Sequence, residues 1–124
     1  MTFPARDFPP VPQSVGEVRH FVREAIAGLA VDHSAVLLMA DELASNAVRH
    51  ARTEFTVRVV PQSNCVRVEV ADGAAQLPVL GDPDPLATGG RGMLIVDRCA
   101  TEWGFERFPG DGKRVWFECR QSPN

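Results

Sequence analysis

The hydrophobic period of this chain switches from about 3.6 residues to about 2 just past Ala51, and the pattern is one-sided on both sides of the switch. Val36, Ala40, Leu43, Ala44, Ala47, Val48 and Ala51 share one broad arc at about 100° per residue, as in an amphipathic helix. Phe55, Val57 and Val59 then alternate with Thr56 and Arg58. After a Pro61-Gln62-Ser63-Asn64 turn, Val66, Val68 and Val70 alternate with Arg67 and Glu69, which completes a hairpin. A helix and a hairpin with one apolar face each must bury those faces against another element, so the chain is constrained to stack in layers.

The flanking segments repeat the pattern. Ser14-Val15-Gly16-Glu17 matches a capping box with Ser14 as N-cap. It predicts a helix to about Leu29, buried through Val18, Phe21, Val22, Ala25, Ile26 and Leu29. Asp32 or Ser34 caps the second helix, which runs to about Ala51. A short apolar helix from Gly92 to about Cys99 precedes strands over Thr101–Phe105 and Arg114–Cys119. Residues 1–12, with four prolines, are expected to be extended or irregular, and residues 120–124 to form a flexible tail. A chain of 124 residues makes one domain, 1–124. The expected fold is α+β, a two-layer sandwich with helices packed on one face of a mainly antiparallel sheet. From Asp72 to Arg91 no period survives, and a loop of roughly twenty residues in a compact domain is often a functional lid.

The formal charge of -3 and the scattered Lys and Arg argue against nucleic-acid binding. Cys65, Cys99 and Cys119 are odd in number, far apart and without zinc spacing, so they read as small core residues in a reducing compartment. The N-terminal segment has no apolar signal core, and no apolar run is long enough to span a bilayer. The expected location is the cytoplasm, with no membrane partner.

Three short motifs carry possible chemistry. Glu42 and Asn46 stand one helical turn apart, opposite the apolar arc, with Arg49 on the same side and His50 at its edge. A carboxylate and an amide held there could orient a nucleophile and ligate a divalent metal, or could simply face solvent. Val68-Glu69-Val70-Ala71-Asp72-Gly73 ends a strand in a carboxylate and a glycine. Such a carboxylate can accept from an exocyclic amine while the glycine lets a ring approach the backbone, or the pair is an ordinary turn. Thr88-Gly89-Gly90-Arg91-Gly92-Met93 opens a helix, where free N–H groups favour phosphate, or forms a plain helix cap.

Taken in order, Glu42-x-x-x-Asn46, Asp72-Gly73 and Gly90-Arg91-Gly92 resemble the N, G1 and G2 boxes of the superfamily of gyrase, histidine kinases and a heat-shock chaperone. Within it the chain is most similar to the RsbW-like anti-sigma-factor serine/threonine kinases, in their actinobacterial ATP-binding regulatory branch. Glu42-Leu43-x-x-Asn46-Ala47-Val48-Arg49-His50-Ala51 carries the likeness, as do Val96-Asp97, Trp103-Gly104 and Gly112-Lys113-x-Val115-Trp116-Phe117-Glu118. The resemblance implies the histidine-kinase-like ATPase fold, with a mixed sheet, and ATP and Mg2+ as cofactors. It makes Glu42 the general base, Asn46 the metal ligand and Asp72 the adenine reader. Arg49, His50, Gly73, Gly90, Arg91, Gly92 and Met93 complete the nucleotide site, and residues 74–89 form the lid. It further implies phosphorylation of an antagonist (anti-anti-sigma) protein, sequestration of a sigma factor, and homodimerisation.

Two departures stand out: Ala74-Ala75 follow Asp72-Gly73 where a further glycine is usual, and Arg114 follows Gly112-Lys113 where a Thr or Ser supports the adenine aspartate. They motivate an alternative, a non-catalytic module that holds a protein partner with its ATP fold. A third reading is a phosphotransfer module detached from a sensor histidine kinase. Arg19, His20 and Arg23, off the buried stripe of the first helix, are the candidate partner surface.

Overall fold

The computed structural model describes residues 3–73, 89–110 and 112–122. The expected lid, apart from Gly89, and the Ala74-Ala75 departure lie outside these described residues. The order of elements is β1 (Ala5–Phe8), α1 (Gln13–Ala25), α2 (His33–Asn46) continued by one π turn (Ala47–Ala51), β2 (Phe55–Pro61), β3 (Cys65–Asp72), α3 (Gly89–Cys99), β4 (Glu102–Arg107) and β5 (Lys113–Arg120).

The two-layer α+β sandwich is as expected from the periodicity. Among the described residues five strands run β1-β2-β3-β5-β4, and their four ladders are antiparallel, so none of these supplies the mixed character implied by the resemblance. The register places Phe55, Val57 and Val59 opposite Asp72, Val70 and Val68, and the last three opposite Lys113, Val115 and Phe117. Directly paired residues share a face. This face therefore runs as a continuous apolar sheet surface, closed at one end by Asp72 and Lys113. Val18, Val22 and Ile26 of the first helical segment, Val36, Met39, Ala40 and Leu43 of α2, and Met93 and Val96 of α3 cover it. Each such Val, Ile or Phe, fully buried, contributes about 1.5–3 kcal/mol.

Several boundaries differ from the sequence reading for local reasons. The capping box does not form. Pro12, whose fixed φ suits a helix start, is the N-cap, and no side chain caps the helix. Ser14 is buried one residue inside α1, where its hydroxyl donates to the Pro9 carbonyl at 2.6 Å. α1 stops at Ala25, and Leu29 returns to the core through a turn in which its N–H donates to the Ile26 carbonyl. Asp32 does cap α2, accepting from the Ala35 N–H at 3.0 Å. The extended N-terminal stretch contains a strand, β1, that closes one sheet edge through Phe8. The tail is held as far as Ser122: Arg120 ends β5, the Gln121 N–H donates to the Asn64 carbonyl, and the Ser122 N–H donates to the Ala30 carbonyl. Residues 123–124 lie outside the described residues.

The outer sheet face carries charge. Glu69, only 8% exposed, lies 3.0 Å from Arg67, 3.8 Å from Arg58 and 3.7 Å from Arg114. Arg67 also reaches Glu118 and lies 4.0 Å over the Trp116 ring. Trp116 can lie flat because its cross-strand neighbour is Gly104: a Cβ there would stand 2.8 Å from Trp116 Cζ2. Gly104→Ala is accordingly expected to tilt the indole away from Arg67 and to destabilise the domain by about 1–3 kcal/mol. A denaturant midpoint together with Trp fluorescence measures both effects. Among the described residues, no helix is long and apolar enough to cross a membrane.

Candidate functional site

α2 carries the polar pair on the side away from its packed arc. Leu43, Ala44 and Ala47 are buried, whereas Asp41, Glu42 and Asn46 are half-buried. Partial burial raises the Glu42 carboxyl above its ordinary 4.5; the neighbouring Asp41 charge pushes the same way, and Arg49 opposes them. Burial also raises Asp41, against the pull of Arg19, which pairs with it across the α1–α2 contact. Asn46 donates from its amide nitrogen to Met93 Sδ at 3.8 Å, which ties α2 to the first turns of α3. That contact leaves the Asn46 carbonyl oxygen as a hard donor suited to Mg2+, which binds few protein oxygens and keeps its other positions for water and phosphate. Among the described residues no group of three or more His, Cys, Asp and Glu side chains gathers into a metal cluster.

The second motif lies at the end of the same inner sheet face. Asp72 Oδ1 is 3.0 Å from Lys113 Nζ, with side chains only 4% and 9% exposed. This corrects the sequence reading of the closing strand. The residue presented to Asp72 is Lys113, its direct cross-strand partner, and not Arg114. Arg114 pairs with Ala71, and its guanidinium reaches Glu106 at 3.4 Å and Glu69 on the outer face. Around the pair the backbone is tightly fitted. The Gly73 N–H donates to Thr53 Oγ1 at 3.0 Å. Gly112 has φ of +124°, and a Cβ there would stand 2.9 Å from the Asp72 carbonyl oxygen, so only glycine fits.

The third motif forms a helix, but one that begins three residues before the expected start at Gly92: Gly89, assigned to the lid, is the first residue of α3, and the backbone of Gly90, Arg91 and Gly92 continues its first turn. The Arg91 side chain lies outside the described residues. Met93 is buried against the core. Two residues of the extended motif are structural: the Trp103 indole N–H donates to Asp97 at 2.8 Å, which fixes α3 to β4, and Gly104 makes room for Trp116.

Arg49 and His50 are exposed and stand on the π turn rather than on α-helical backbone. Arg52, in left-handed conformation at φ 55°, then ends the segment. Single π turns recur at functional sites, where the extra residue per turn re-aims side chains. Of the candidate partner surface, Arg19 is turned to Asp41, His20 lies 2.8 Å from Glu24, and Arg23 is exposed. Sequence reasoning missed Lys113, Thr53 and Asp41. Asp41, next to Glu42, was open to discovery by adjacency alone, whereas the other two needed the strand register.

The described residues thus hold a half-buried carboxyl of raised pKa, an amide one turn away that touches Met93 of α3, and a buried carboxylate–ammonium pair at the end of the inner sheet face. The sequence matches the family model for the histidine kinase-like ATPase domain over residues 8–119. The fold is similar to the crystal structure of the RsbU and RsbW domains of Rv1364c from Mycobacterium tuberculosis, with a TM-score of 0.67 at 15% identity. That likeness covers 96% of this chain and 33% of the other, so the present chain spans about a third of its length. No curated protein matches the chain.

Proposed function

The chain belongs to the histidine kinase-like ATPase domain family, and from that premise we propose that it is a cytoplasmic anti-sigma regulatory protein that uses ATP to phosphorylate a serine or threonine of an antagonist protein. In this reading its other partner is a sigma factor, which it sequesters, and it works as a homodimer. The observation that carries the proposal is the placement of Glu42 and Asn46 on one helical turn, with Asn46 touching Met93 at the start of α3. The similarity to a structure containing an RsbW domain supports the choice of branch.

In the proposed reaction the γ-phosphoryl group leaves the β–γ bridging oxygen of ATP and bonds to the acceptor Oγ, ADP departs, and Glu42 takes the hydroxyl proton. Its raised pKa makes it a better match for that proton than an exposed glutamate. Asn46 would hold Mg2+, which supplies charge neutralisation on the phosphates. The backbone N–H groups opening α3 favour the phosphates, and Asp72 accepts from the base. Catalysis of this kind is mostly positioning and electrostatics. Incubation with γ-labelled ATP and candidate antagonists tests it: label should appear on antagonist Ser or Thr, and its absence from every antagonist, with ATP bound, overturns the kinase assignment.

One observation favours a second reading, a binding module without turnover: Lys113 already contacts the carboxylate assigned to the base. Calorimetry with MgATP separates the two, since the module predicts no nucleotide heat while partner binding persists.

A further inference from the structure

Among the described residues the Asn46 side chain makes one hydrogen bond, from Nδ2 to Met93 Sδ at 3.8 Å. Met93 is 1% exposed and packed in the core, so its sulfur is held against one end of the amide. The two ends of an amide are a donor and an acceptor, whereas a thioether accepts weakly and has no proton to give. The NH2 end therefore faces Met93, and the carbonyl end faces away. Among the described residues the only buried side-chain polar atom without a partner is Asp41 Oδ1. Asn46 Oδ1 accepts from none of these residues, so it is not a buried orphan: it stays open on the half-buried side of α2, one turn from Glu42.

We propose, resting on the metal-dependent nucleotide reading above, that Met93 is a positioning residue whose sulfur selects the flip of the Asn46 amide that offers Oδ1, and not the NH2 group, to the divalent ion. Mg2+ takes oxygen ligands, so the opposite flip would present it with two donors and no ligand. A partner behind a ligating side chain sets its orientation before the ion arrives. Here that partner is an unusual one, a buried thioether on the neighbouring helix. Without an acceptor at position 93 both flips are populated, and binding the ion has to select one of them. The sulfur makes that selection in advance, which is preorganisation of the ligand. Its removal is worth about one neutral hydrogen bond, a roughly two- to tenfold loss in metal-dependent affinity. Leucine keeps the approximate volume of methionine in a core and lacks the acceptor.

The experiment is a calorimetric titration with ATP in EDTA and with MgATP, on the wild type, Met93→Leu, Asn46→Asp and the double variant, with circular dichroism to confirm folding. The ratio of the two affinities isolates the contribution of the metal. In the wild type MgATP is expected to bind more tightly than metal-free ATP. Met93→Leu should shrink that ratio by roughly two- to tenfold and leave the metal-free affinity within about twofold. In the Asn46→Asp background the carboxylate offers oxygen at both ends, so no flip remains to be selected, and adding Met93→Leu should leave the ratio unchanged. A ratio that Met93→Leu does not alter, or that falls equally in both backgrounds, overturns the role of the sulfur and leaves the nucleotide reading standing. A loss confined to metal-free ATP, or equal with and without Mg2+, overturns it as well and reduces Met93 to packing. A wild type that binds ATP equally in EDTA and Mg2+ overturns the metal reading and this proposal together, and one that binds neither overturns the nucleotide reading too. Where Met93→Leu fails to fold, norleucine incorporated in place of methionine removes the sulfur at constant chain length, and the same comparison decides.

Discussion

Glu42→Gln should lower phosphoryl transfer to the antagonist by about 10²–10⁴-fold while leaving MgATP affinity nearly unchanged. The amide keeps the size and polarity of the side chain, and the removed group acts on the acceptor proton, so kcat falls where the nucleotide Kd does not. A parallel loss of both would mean that Glu42 holds nucleotide, and an unchanged kcat would remove the base from the mechanism. The pH profile adds an independent reading. Burial first and Asp41 second raise the Glu42 carboxyl above its ordinary 4.5, with Arg49 opposing. The base must be ionised to work, so activity should fall on the acid side with a midpoint above 4.5, and Glu42→Gln should abolish that limb. Stability responds with the opposite sign. A carboxyl whose folded pKa exceeds its unfolded one favours the folded state in its neutral form. That contribution is present below the unfolded value and is lost as pH rises through the folded one. The stability difference between wild type and Glu42→Gln should therefore shift against the wild type across that window, as thermal melts at stepped pH would register.

Much of this architecture was legible because one-sided elements write their period into the chain. α2, both hairpins and the layer arrangement follow from Val36 to Val70 and from Val115 to Cys119 without reference to any contact. Glu42 and Asn46 were equally legible, since neighbours on a helix are fixed by spacing alone. Lys113 was not. Cross-strand neighbours depend on register, and a one-residue slip exchanges the two faces of a strand. Reasoning by position selected Arg114, yet the ladder pairs Asp72 with Lys113 and sends Arg114 to the outer charged face. The π turn beneath Arg49 and His50 left no trace either, because the same apolar residues satisfy an α-helical arc with or without one added residue. The false capping box at Ser14 shows the converse. A residue pattern suited to a cap was outcompeted by Pro12, and the freed hydroxyl was used to anchor the Pro9 carbonyl.

β1 escaped notice because it is too short to show a period: four residues, of which only Phe8 is buried. That single side chain leads to the largest stability effect expected here. Phe8 is fully buried, stacks on Phe55 at a centroid distance of 5.7 Å and meets the edge of Phe21 at 6.1 Å, so one ring joins β1, β2 and α1. Phe8→Ala is expected to cost about 3–5 kcal/mol, because the cavity opens between three elements that packing holds apart. For a domain of this size that corresponds to a fall in Tm of roughly 10–20 °C. The alternative is a local loss: β1 peels from its edge position and the remaining four strands persist. The two outcomes differ in the denaturant slope. Global destabilisation moves the midpoint and preserves m, whereas a detached β1 exposes its surface in the native state and lowers m. Because Ser14 anchors the Pro9 carbonyl at the start of α1, and because Phe21 lies on that helix, the strand and α1 are coupled at both ends. The expected result is therefore a lower midpoint at constant m. A reduced m with a nearly wild-type midpoint would show that β1 is an appendage and not part of the cooperative core.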